Sequence, residues 1–292
     1  MLGIPTQALF GQLLIGLING SFYAMLSLGL AVIFGLLNII NFAHGAQYMM
    51  GAFVAYFLVQ YAGLGYWWAL LLVPIVVGLF GIALERTMLR RLYHLDHLYG
   101  LLLTFGLVLI IQGLFRNAFG SSGLPYRIPT RLEGGRNLGF MFLPNYRAWV
   151  VVFSLAVCLA TWFVIERTKL GSYLRAATEN PDLVQAFGVN VPRMITLTYG
   201  FGVGLAALAG VLAAPIYQVN PLMGADLIIV VFAVVVIGGM GSILGSIITG
   251  FALGVIEGLT KVFYPEASNT VIFVLMALVL LWRPAGLFGR TS

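Results

Sequence analysis

The chain has 292 residues, of which 61% are hydrophobic and only 8% charged, and its mean hydropathy is +1.03. A soluble domain carries about 25% charged residues, so the composition excludes an ordinary soluble protein. It indicates an integral membrane protein made almost entirely of spans, with no room for a separate soluble domain. The formal net charge of +6 is not a nucleic-acid signal, because the basic residues sit mostly at the ends of apolar runs, where headgroups and topology account for them.

In chain order the apolar runs fall near residues 7–36, 46–61, 67–85, 99–116, 147–165, 195–215, 226–240, 244–262 and 270–283. They predict an all-α polytopic membrane protein of about eight to nine transmembrane helices, some broken or re-entrant, forming one transmembrane domain over 1–292. The first residues carry no Lys or Arg and no small-residue cleavage site, so no cleavable signal peptide is expected. The first run is too long for one straight span of ~20 residues and contains Asn19-Gly20-Ser21; a tilted helix, a broken helix and a lead-in segment followed by a helix all fit. The pair 226–240 and 244–262 is punctuated by Gly238-Gly239-Met240-Gly241-Ser242 and then Gly245, Gly250 and Gly254, so two spans and a re-entrant hairpin both fit. The 36 glycines suit close helix packing in a bilayer. Cys158 is the single cysteine and lies in an apolar run, which leaves no intrachain disulfide and implies no redox role. No inverted repeat is visible in the sequence.

Two polar connections stand out. Residues 117–146 carry Arg127, Arg131 and Arg136 with Glu133; a docking surface for an acidic soluble partner and a plain solvated loop fit equally. Residues 166–194 contain an amphipathic stretch in which Leu174, Ala177, Leu183, Val184, Ala186 and Phe187 are apolar while Arg175, Glu179, Asp182 and Gln185 are polar, closed by Gly188 and Pro192. Such an element between two spans either docks on a soluble partner or is an ordinary surface loop. With nine spans, Arg86, Arg90 and Arg91, the cluster Arg167 to Arg193, and Arg283 and Arg290 share one side, expected to be cytoplasmic together with the C-terminus. The N-terminus and the loop 117–146 then lie outside.

The chemistry-bearing residues are few. Neither Lys169 nor Lys261 sits in a phosphate-cradling loop, so ATP is not bound here in that way and no cofactor is expected in this chain. His94 and His97 flank Asp96 without the three or four ligands a zinc site needs. Glu85 lies at a span end beside Arg86, and Glu257 and Lys261, at i and i+4, read as a structural ion pair. An ion-coupled secondary transporter places acidic groups at mid-membrane, and none is clearly there. Asn38, Asn41, His44 and Gln47 recur near helical spacing between the first two spans. They form either the wall of a substrate path or an interhelical hydrogen-bonding seam.

Several stretches together resemble the branched-chain amino acid permease family of bacterial ABC importers: Asn41-Phe42-Ala43-His44-Gly45, the segment Gly171 to Gly188, Val236-Ile237-Gly238-Gly239-Met240-Gly241-Ser242, and Pro284-Ala285-Gly286-Leu287-Phe288-Gly289. The resemblance runs along the whole chain in order. It implies a permease subunit in the bacterial inner membrane, paired with a second, LivM-like permease, two cytoplasmic ATPases that hold ATP-Mg, and a soluble periplasmic or extracellular substrate-binding protein. Arg175, Ala176, Ala177, Glu179, Asp182 and Gly188 would form the ATPase-coupling loop. The segment departs from the EAA motif of other importers, since Arg175 stands in the first position and the glycine lies farther downstream. Asn38, Asn41, His44, Gln47, Gly238 and Gly239 would lie on the substrate path, and Arg127, Arg131 and Arg136 would meet the binding protein. Relatives importing urea or short amides share these features.

Overall fold

The structure, a computed structural model, describes residues 6–37, 41–93, 95–139 and 141–289. Asn38, His94 and Arg290, singled out above, lie outside them. Among the described residues each of the nine apolar runs becomes one helix. These are α1 (Thr6–Leu37), α2 (Ala43–Gln60), α3 (Tyr66–Thr87), α4 (His97–Phe119), α5 (Asn145–Arg167), α8 (Val191–Tyr217), α9 (Ala225–Gly238), α10 (Ile243–Phe263) and α11 (Val271–Trp282). Two short polar helices, α6 (Lys169–Glu179) and α7 (Pro181–Ala186), fill the connection between α5 and α8. Six helices are long and apolar enough to cross a membrane, whereas α9 and α11 are shorter. At 1.5 Å per residue α9 and α11 reach only about 20 Å, less than the ~30 Å hydrocarbon core, which makes them the broken segments.

The first run is one continuous helix of 32 residues, about 48 Å long. Asn19-Gly20-Ser21 does not interrupt it. Ser21 Oγ donates to the Ile18 carbonyl at 2.7 Å, and Gly20 lies against the backbone of Gly250 and Phe251, so each polar or small residue there has a packing role.

The helices α1 and α8 are mostly enclosed, while α3, α4 and α5 turn most of their surface outward. Lipid tails are as apolar as leucine, so burial alone does not drive one span onto another; close backbone contact and interhelical hydrogen bonds do. The seam between α1 and α10 shows this. A Cβ added at Gly16 would meet the Gly254 carbonyl oxygen at 2.4 Å, and one at Gly254 would meet the Gly20 Cα at 2.3 Å. Farther out, Phe53 of α2 packs at a tilt against Phe115 and Phe119 of α4, at centroid distances of 4.7 and 5.3 Å. Tyr146 of α5 donates to the Leu212 carbonyl of α8 at 2.9 Å.

Two helices start inside the bundle. The imidazole of His44, in the first turn of α2, bonds the Leu26 carbonyl in the middle of α1 at 3.0 Å. The first turn of α9 begins at Gly224, where an added Cβ would meet the Gly45 carbonyl oxygen at 2.0 Å. The N-termini of α2 and α9 therefore abut within the protein. From that point α2 runs toward the loop 117–146, where Phe57 packs on Phe119 at 5.2 Å. In contrast, α9 runs toward Gly241, which lies beside Gly35 at the far end of α1. Discontinuous helices meeting end to end and leaving in opposite directions are the arrangement of transporters built from inverted halves.

The loop 117–146 is folded. Strands β1 (Gly135–Asn137) and β2 (Phe142–Pro144) pair antiparallel, and Leu124 exchanges backbone hydrogen bonds with Val219 just beyond α8. This is the hairpin face of the molecule; the opposite, elbow face carries α6 and α7.

Packing Gly254 against the α1 backbone leaves no room for a side chain, and overpacking of this kind costs about 1–3 kcal/mol. Gly254→Val is expected to lower the thermal unfolding temperature of the detergent-solubilised chain by several degrees. Gly106→Val, on an α4 surface with nothing within 4 Å, is expected to leave it unchanged.

Candidate functional site

The elbow face begins where α5 ends. Thr168 is extended, and the chain doubles back into α6 so tightly that a Cβ at Gly171 would lie 1.5 Å from the Ile165 carbonyl oxygen. Only glycine fits. Arg175 fastens the turn, donating to the Ile165 carbonyl and to Glu166, both at 3.3 Å. Asn180 then stops α6 and caps α7, its side chain accepting from the Leu183 amide at 3.0 Å, with Pro181 in the first turn. Gly188 ends the element at φ +84°, a left-handed conformation that favours glycine. Asn190 caps α8 in the same way, accepting from the Arg193 amide at 3.0 Å.

The break at Asn180-Pro181 changes which residues face inward. Ala177 and Val184 are buried with Val191, packed on Val189, Met194 and Ile195, and Leu174 is buried too. A single amphipathic face would also have buried Leu183, Ala186 and Phe187. The structure corrects this: Leu183 is 54% and Phe187 80% exposed, and Ala186 is exposed as well, because α7 is a separate helix with its own rotation about the axis. Ala176, Glu179, Asp182 and Gly188 are exposed with them, and Arg175 is half-buried. The result is an apolar knob, Leu183 and Phe187, rimmed by two carboxylates.

Behind the knob lies a cavity of about 450 Å³ whose lining includes Glu85, Arg90, Tyr93, Asp182, Gln185 and Ile195. Glu85 is fully buried and accepts hydrogen bonds from Tyr93 and Thr196, both at 2.7 Å. Burial, and then the bond to Glu85, hold the Tyr93 hydroxyl far above the usual phenol range, so it stays a donor. Glu85 thereby ties the end of α3 to the start of α8 directly above the elbow, through partners that its neighbour Arg86 gave no hint of.

The other residues singled out in the sequence lie elsewhere. Asn41 and Gln47 both donate to the Tyr199 hydroxyl of α8, at 3.0 and 3.3 Å, and His44 bonds Leu26 of α1. All three are buried; among the described residues Asn41 Oδ1, His44 Nδ1 and Gln47 Oε1 have no hydrogen-bond partner. Gly238 packs on Gly245, and Gly239, at φ +99°, packs on Gly289. There the segment after α11 crosses the α9–α10 turn, with the amides of Leu287 and Phe288 donating to the carbonyls of Ile237 and Gly238 at 2.8 and 3.1 Å. Arg127, Arg131 and Arg136 are exposed on the hairpin face, and none belongs to an ion pair among the described residues. The expected pair of Glu257 and Lys261 forms, and Tyr23 also donates to Glu257, at 2.6 Å.

The sequence matches the family described as "Branched-chain amino acid transport system / permease component" over residues 12–280. The high-affinity branched-chain amino acid transport system permease protein LivH of Salmonella typhimurium is 32% identical, over 96% of this chain and 95% of its own. BraD of Pseudomonas aeruginosa, a permease of the same description, is 33% identical over the same shares. The LivM permease of Escherichia coli K12 is 30% identical over 92% of this chain and 68% of its own. No solved structure matches the chain. Family match and relatives agree along nearly the full length with the multi-helix membrane architecture, and the chain belongs to the branched-chain amino acid transport permease family.

Proposed function

We propose that this chain is the transmembrane permease subunit of an ATP-driven, binding-protein-dependent importer for branched-chain or other neutral amino acids, working by alternating access. The observation that carries the reading is the elbow: an apolar knob with an acidic rim, projecting from a rigid turn and packed through Ala177 and Val184 onto the start of α8. Exposed Phe187 and Leu183 suit insertion into a groove of a soluble partner, with Glu179 and Asp182 selecting a basic rim. In this reading the elbow face is cytoplasmic in a bacterial inner membrane. The basic residues Arg86, Arg90, Arg91, Arg167, Lys169 and Arg193 cluster toward it, as the positive-inside bias requires, and the segment after α11 ends on the same side.

The knob is joined to the bundle on two sides. Gly171 and Arg175 lock it to α5, and Val184 and Val191 lock it to α8, the enclosed helix that packs on α1, α2 and α3. ATP-Mg, bound between two partner ATPases, supplies the closing motion. A second related permease of the LivM type completes the pathway, and a soluble binding protein docks on the hairpin face, where Arg127, Arg131 and Arg136 are free to meet acidic groups. Ion-coupled transport is the weaker reading, since the buried carboxylates Glu85 and Glu257 are both engaged by partners within the chain.

Two measurements test this. Mild solubilisation of the tagged chain from native membranes should recover two ATPase subunits and a second permease; recovery of the chain alone, active in ion-driven uptake without ATP, would overturn the assignment. Phe187→Ala should weaken ATPase association about 30-fold, the size of a ~2 kcal/mol hot spot. Glu179→Lys and Asp182→Lys should uncouple hydrolysis from uptake while membrane insertion is retained. Unchanged association and uptake in all three variants would remove the elbow from the coupling path.

A further inference from the structure

Above the junction of α2 and α9, toward the hairpin face, lies a cavity of about 370 Å³, within the ~300–1,000 Å³ range of small-molecule sites. Its wall combines Asn19, Tyr23, Tyr48, Tyr217, Asn220 and Asp226 with the apolar Phe22, Met223 and Leu227. Among the described residues Asp226 is the only charged one in that wall, and it sits in the first turn of α9. Two of the three tyrosine hydroxyls are committed: Tyr217 donates to Asn19 and Tyr23 to Glu257, each at 2.6 Å. The third is not. Tyr48 is fully buried, and among the described residues its hydroxyl has no hydrogen-bond partner, an arrangement native proteins rarely tolerate without a purpose.

We propose that this cavity is a transit site for a small zwitterion with an apolar side chain, an assignment that rests on the importer reading above. The ammonium group of the solute would lie at the Asp226 carboxylate, against the faces of Tyr23 and Tyr217. Its carboxylate would accept from the Tyr48 hydroxyl and from the amides of Asp226 and Leu227 in the first turn of α9, since the Ala225 amide donates to the Leu222 carbonyl at 2.9 Å. The apolar side chain would rest on Phe22, Met223 and Leu227. The position suits alternating access. The site sits directly over the abutting N-termini of α2 and α9 at Gly45 and Gly224, so any movement of α9 relative to α2 would change the distance between Asp226 and Tyr48. Neither end of the solute could then keep both contacts once the bundle switches.

The test uses the whole assembly in proteoliposomes, with its second permease, ATPases and binding protein, and leucine as the probe. Cys158, the single native cysteine of the chain, is buried, so Met223→Cys introduces one reactive thiol into the cavity wall. Leucine, delivered by excess binding protein, should slow its modification by a membrane-impermeant methanethiosulfonate reagent at least fivefold. Adding Asp226→Asn or Tyr48→Phe should abolish that protection. In the chain without the cysteine, Asp226→Asn and Tyr48→Phe should each raise the KM for leucine uptake about tenfold. Wild-type uptake together with an unprotected thiol, or an unchanged KM in both variants, overturns the site while leaving the importer reading intact. Absence of ATP-driven leucine uptake by the wild-type assembly overturns the importer reading itself.

Discussion

Close contact between backbones, made possible by small residues, is the constraint on which the rest of this structure depends. In a bilayer, water is not there to drive one apolar helix onto another, so helices associate where their surfaces approach nearly to backbone contact. The α1–α10 seam at Gly16, Gly20 and Gly254 holds the longest helix in place. The same device at Gly45 and Gly224 lets two helices begin inside the bundle, end to end. Once α2 starts there, His44 in its first turn is carried fully into the interior, where a soluble protein would rarely put it.

The polar groups follow from that geometry. A buried polar group in hydrocarbon is costly unless it is hydrogen-bonded. Several of those here are tied across the bundle: Asn41 and Gln47 to Tyr199, Glu85 to Thr196, His44 to the Leu26 carbonyl, and Glu257 to Tyr23. With His44 joining α2 to α1, the ties cross-link α2, α3, α8, α1 and α10. They lie between the elbow on one face and the folded hairpin loop on the other.

Two of the stretches that carried the family resemblance turn out to be one structural unit. Val236 to Ser242 ends α9 and turns into α10; Pro284 to Gly289 crosses that turn and donates two backbone hydrogen bonds to it. Gly239 and Gly286 both have positive φ and lie against each other, so neither tolerates a side chain. Glycines nearly fifty positions apart thus answer to one close approach, and it sits on the same face as the elbow.

The sequence by itself determined the membrane class, the nine apolar runs, the polar connection closed by Gly188 and Pro192, and the family resemblance. Hydropathy, turn chemistry and motif order are local properties, written in consecutive residues. Only the tertiary structure decided that Asn19-Gly20-Ser21 lies inside an unbroken helix, because the packing of Gly20 on α10 outweighs the helix-breaking tendency of the triplet. It also decided that Phe187 and Leu183 point outward, since the break at Asn180 resets the helical phase by an amount the sequence does not state. Tyr48, Tyr217 and Asp226 share a wall only because Gly224 fits against Gly45, and no spacing along the chain encodes a contact between residues so far apart. Polar residues in a membrane protein are placed by the neighbour that satisfies them, and that neighbour comes from another helix.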